Sequence, residues 1–157
     1  MLSFVARSGV TVTASRLTFT KSIAKPLTVI TDAPLTPTTG VRTRGFEVAM
    51  PTKQARTAIG FSADPELATY MTPTYSPGLS SYISMGGAGF IYPAGASSSG
   101  RYGEGDTLRC EVDFSARTVS FSVNGQRVGS APWRHGEAAW PAISSEGGTV
   151  VADVDFF

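Results

Sequence analysis

The sequence predicts an all-β sandwich or barrel, and three observations carry that reading. Apolar and polar residues alternate with a period of two in many short runs, as they do in half-buried strands. Turn formers are dense: 17 Gly and 10 Pro in 157 residues leave little room for long helices. Residues 103–129, GEGDTLRCEVDFSARTVSFSVNGQRVG, read as three short strands joined by two tight turns. Helix is expected for less than about a tenth of the chain, against the usual third.

That stretch organises the rest. Leu108, Cys110 and Val112 alternate with Arg109, Glu111 and Asp113, giving one apolar and one charged face. Val119, Phe121 and Val123 alternate with Ser120 and Ser122, and Ser115-Ala116-Arg117 is short enough to be the intervening loop. Asn124-Gly125 follows, and both residues tolerate the positive φ of a type I′ turn. Val128 continues the apolar face on the third strand. A meander cannot bury such a face alone, so a second layer must cover it.

Composition bounds the function. The length suits one domain over residues 1–157 with a sizeable core. A formal net charge of +1 builds no field for nucleic acid or an anionic membrane. No apolar run approaches the roughly 20 residues of a membrane helix. Cys110 is the only cysteine, so neither an internal disulfide nor a Cys-based zinc site is available. It reads as a small core residue, and a lone buried thiol fits a reducing intracellular compartment, the cytoplasm first.

In chain order, residues 1–31 lack any acidic residue but hold Arg7, Arg16, Lys21 and Lys25. That composition also fits an organellar transit peptide, which keeps a mitochondrial location open. The alternation Leu2, Phe4, Ala6, then Val10, Val12, Ala14, then Leu17 and Phe19 favours strands instead. Leu27, Val29 and Thr31 form a further strand, and the prolines at 34 and 37 make residues 32–40 a loop. Phe46, Val48 and Met50 alternate with Glu47 and Ala49, and Pro51 is expected to end that strand. Residues 57–62, TAIGFS, read as a buried strand, and Asp64-Pro65-Glu66-Leu67 as one helical turn. Residues 69–81 read as a long surface loop, residues 82–85 and 90–92 as short strands around a glycine turn, and residues 94–100 as a flexible loop. Beyond the meander, residues 130–139 read as loop, with Trp133 to Gly136 exposed. Residues 140–143 read as strand, 145–148 as a turn and 150–157 as the closing strand.

These residues resemble the SPRY domain, the core of the B30.2 module, with a similarity to Ran-binding-protein-M-like members. Four stretches carry the likeness in order: Phe46-Glu47-Val48; Ala58 to Ser62; Gly105 to Cys110 with Val119 to Phe121, Asn124-Gly125 and Gly129; and Trp140 to Ile143. The match is clearest over residues 40–157, with residues 1–39 fitting as N-terminal strands and loop. Two departures stand out: Gly45-Phe46 replaces an aromatic pair, and Asp155-Phe156-Phe157 replaces a terminal Asn-Phe-Gly. The resemblance implies a bent sandwich of two antiparallel sheets, of concanavalin-like jelly-roll architecture. It implies protein–protein recognition through loops at one end, and no cofactor.

Catalysis is not expected. His135 is the only histidine, which excludes a His-based metal cluster and leaves a Ser-His-Asp triad to this one residue. No Gly-x-Ser-x-Gly elbow, phosphate-binding loop or dinucleotide fingerprint appears. Asp106 follows Gly103 and Gly105 at a strand start, where a carboxylate commonly accepts backbone amides and fixes the turn. Glu47, on a half-buried strand, is expected to pair with a cation.

The expected activity is docking of a short segment of another protein, within a larger protein or complex. Tyr70, Tyr75 and Tyr92 lie in or beside loops and have the character of interface anchors. In relatives that bind peptides, a tyrosine in the loop after the Gly strand and the loop after the aromatic-Pro strand form the pocket. By that resemblance Tyr70, or Tyr75, would face Ser145, Glu146, Gly147 and Gly148 at one end of the sandwich. A lectin-like sandwich is the alternative, although the one asparagine, Asn124, is used by a turn. Nucleic-acid binding is disfavoured by 13 basic residues scattered against 12 acidic ones.

Overall fold

The computed structural model describes residues 2–6, 9–13, 15–19, 27–41, 43–53, 56–65, 82–86, 89, 91–92, 100–146 and 150–157. Among these residues there are twelve strands and no helix. They are β1 (Val10–Thr13), β2 (Arg16–Phe19), β3 (Leu27–Ile30), β4 (Thr43–Lys53), β5 (Arg56–Ser62), β6 (Tyr82–Gly86), β7 (Ile91–Tyr92), β8 (Thr107–Asp113), β9 (Thr118–Val123), β10 (Gln126–Pro132), β11 (Trp140–Glu146) and β12 (Val150–Phe156). One sheet has the order β1-β2-β12-β4-β8-β9-β10 and the other β3-β11-β5-β6-β7. The pairings are antiparallel throughout.

The period-two pattern becomes burial directly. Leu108, Cys110 and Val112 are buried along β8, and the residues between them are half-exposed. Burial, with Glu111 adding its charge, pushes the Cys110 thiol well above its usual pKa. Aromatic rings then tie the sheets together. Phe46 of β4 meets Phe61 of β5 edge-on at 5.4 Å, and Phe61 meets Trp133 edge-on at 6.4 Å. Gly45 has no room for a side chain, because a Cβ there would strike the Cys110 carbonyl oxygen. Its own N–H and C=O instead bond to Phe157 at 3.1 and 2.9 Å, fastening the end of β12 against β4.

Several boundaries differ from expectation. Pro51 does not end β4, which runs on to Lys53. Between Val151 and Asp153 the register of β12 shifts against β4, so Met50 and Pro51 together oppose one residue. A bulge is where a strand tolerates a residue without an N–H. β10 continues to Pro132, since Ser130 and Ala131 pair with Ser120 and Val119 despite their turn-like composition. Trp133 is not exposed but 1% accessible, in the core. Ser145 and Glu146 belong to β11 rather than to a turn, because they pair with Thr57 and Arg56. Asp64 and Pro65 are not helical, and Glu66 and Leu67 lie outside the described residues. At the N-terminus β1 and β2 are strands, with Val10, Leu17 and Phe19 in the core. Phe4 makes only a single bridge to Thr31.

Candidate functional site

Antiparallel pairing decides which loops can meet. Ser62, the last residue of β5, lies opposite Trp140, the first of β11, while Arg56 lies opposite Glu146. Tyr82 returns opposite Ser62. β5 therefore ends and β6 begins at the Trp140 end, whereas β11 ends at the Arg56 end. The two ends are about 20 Å apart, the length of a seven-residue strand. Neighbouring antiparallel strands point their C-termini in opposite directions, so β5 and β11 end at opposite edges of their sheet.

The predicted contact residues fare unequally. Tyr70, Tyr75, Gly147 and Gly148 lie outside the described residues. Tyr92 and Glu146 are placed by backbone alone, at the ends of β7 and β11. Ser145 is fully buried and offers no surface to a partner; its hydroxyl has no hydrogen-bond partner among the described residues.

The turn residues form a closed network. Asp106 Oδ2 accepts from the Gly103 N–H at 2.8 Å, and its Oδ1 accepts from Asn124 Nδ2 at 2.9 Å. Asn124 Oδ1 in turn accepts from the Thr107 N–H at 3.0 Å. The Asn124 amide, then the Gly103 N–H, hold the Asp106 carboxyl below the usual range. Gly105, at φ 86°, donates its N–H to the Met50 carbonyl at 2.7 Å. Asn124 and Gly125 have φ of 50° and 84°, both positive as type I′ requires. Glu47 Oε1 accepts from Arg109 Nη1 at 2.9 Å, and the Arg109 guanidinium stacks 3.7 Å from the Phe157 ring centroid.

A cavity of about 560 Å³ opens at the Trp140 end, between the β8–β9 turn and the β10–β11 segment. Phe114, Pro132 and Trp133 supply apolar lining, and Arg117, Arg134 and Glu137 supply charge. The Trp133 N–H donates to the Arg117 carbonyl at 2.8 Å, joining the two loops. Its indole N–H donates to the Gly136 carbonyl at 2.9 Å, and the His135 ring stands edge-on to it at 5.1 Å. Asp113 Oδ1 accepts from the Ser115 and Ala116 N–H groups, both at 2.9 Å, and shapes the turn. Arg117 closes that turn at φ 56°, a conformation usual for Asn or Gly. Sequence reasoning did not single out this cavity. The available signals were Trp133, an aromatic inside a polar loop, and an arginine in a tight hairpin.

No protein-family model matches the sequence, and no curated protein matches it. Solved structures do. A human SPRY domain aligns with a TM-score of 0.64 at 19% identity, covering 96% of this chain and 95% of that one. The SPRY domain of human HERC1 aligns with a TM-score of 0.68 at 16% identity, covering 96% and 91%. The chain has the SPRY fold. At such identities the likeness to SPRY domains concerns the fold alone.

Proposed function

We propose that the chain is a single, non-catalytic SPRY-like domain that docks a short segment of a partner protein, as part of a larger intracellular protein or complex. Its Gly105–Cys110, Val119–Phe121 and Asn124-Gly125 block supports placing it beside the Ran-binding-protein-M-like members of the B30.2 group. The observation that carries the docking reading is the cavity at the Trp140 end. It joins two loops distant in sequence, and its volume lies in the range of ligand clefts. β5 ends and β6 begins at that same end, and Tyr70 and Tyr75 fall between them in sequence, so an aromatic contribution from them is part of the proposal.

Hydrogen exchange tests it. A partner captured by the intact chain should protect residues 114–117 and 132–137 from exchange. Protection confined to residues 103–107 and 124–127 would put the docking surface at the opposite end and overturn this reading.

A further inference from the structure

Among the described residues, two guanidiniums at the cavity have no partner. Elsewhere on the seven-stranded sheet, Arg16 is bound to Asp153, Arg109 to Glu47, and Arg44 to the Thr36 carbonyl and Thr38 hydroxyl. Arg117 and Arg134 are exposed, and among the described residues neither has an ion-pair or side-chain hydrogen-bond partner. Both line the same cavity as the apolar groups Phe114, Pro132 and Trp133. A planar guanidinium matches the two oxygens of a carboxylate.

We propose that this cavity takes a short peptide in which one Asp or Glu adjoins an apolar side chain. Arg117 and Arg134 would bind the carboxylate, and the Phe114–Pro132–Trp133 wall would bury the neighbour. Glu137 lines the same cavity, so a second negative charge on the ligand meets repulsion. That favours a lone carboxylate over an acidic run or a nucleic-acid backbone, as does the near-neutral chain, with 13 basic against 12 acidic residues. The inference rests on the docking reading above and names its ligand.

Panning random displayed peptides on the folded chain tests both. Enriched peptides should share an apolar residue next to Asp or Glu. Changing that carboxylate to its amide should weaken binding about tenfold or more, in keeping with a charged hydrogen bond. Arg134→Gln and Arg117→Asn should weaken it similarly without lowering the melting temperature, since Asn accepts the positive φ. Raised salt should weaken it too. Peptides that protect residues 114–117 and 132–137 from exchange but carry no carboxylate overturn the acidic class while the docking reading stands. So do acidic peptides indifferent to both arginine variants. Peptides that protect only the opposite end, or no enrichment, overturn both.

Discussion

The β8–β9–β10 meander ends in two turns, each with a non-glycine residue at positive φ, and the two are used differently. At the β9–β10 end that residue is Asn124, whose side chain is occupied by Thr107 and Asp106. At the β8–β9 end it is Arg117, whose guanidinium is unengaged among the described residues and lines a cavity. Asn costs little in the left-handed region; Arg is strained there. At one end the positive-φ side chain holds strands together; at the other Asp113 shapes the turn and the positive-φ side chain stays exposed. The two ends thus differ both in backbone strain and in the partners of those side chains.

Substitutions can break or sharpen that contrast. Gly125→Val should have the largest effect. A Cβ there meets nothing within 4 Å, so the cost is backbone strain alone at φ 84°. About 1–3 kcal/mol is expected. An unchanged urea midpoint would show that this end is not held by its turn.

Asp106→Asn should act next, through pH. The folded-state pKa of Asp106 is depressed, so its contribution is complete above the ordinary carboxylate pKa of about 3.9 and fades as pH falls through the lowered value. The parent should be the more stable near neutrality, and the gap should narrow in acid. Asp153, held low by Arg16, titrates in the same direction, so the variant flattens the acid limb without abolishing it. A gap that widens as pH falls would contradict the network.

Arg117→Gly should have the smallest effect and the opposite sign. Relief of roughly 1–2 kcal/mol of left-handed strain is offset by roughly 0.5–1 kcal/mol of added chain entropy. A gain of about 0.5 kcal/mol is therefore expected in thermal unfolding, the mark of a residue kept for a purpose other than stability. A clear loss would make Arg117 a structural residue like Asn124.

Much of the fold was legible because the meander obeys local rules. Period-two alternation placed Leu108, Cys110 and Val112 inward, and Asn124-Gly125 identified the hairpin. The misreadings share a cause: composition was taken where pairing decides. Pro51 and Ser130 look like breakers, yet a bulge accommodates one and the hydrogen-bond ladder with β9 takes up the other. Ser145 looks like a turn residue, yet Ser144 beside it is buried in a hydroxyl pair with Thr28 at 2.7 Å, so this strand carries polar residues into the interior. The site was less legible. Its walls come from residues 114–117 and 132–137, which no short motif links. That β5 and β11 end at opposite edges of their sheet follows from their antiparallel pairing, which no short motif states.

The position of β12 also sets an order of events during synthesis. It lies between β2 and β4, pairing with both, and β2 reaches the rest of the seven-stranded sheet only through it. A ribosome delivers β1, β2 and β4 long before residues 150–157 emerge. Until then the first hairpin has no sheet to join, and one edge of β4 stands open. Such distant pairing is slow, and open edges invite pairing with other chains. The β1–β2 hairpin is therefore fixed in place only once the last strand of this fold has been made.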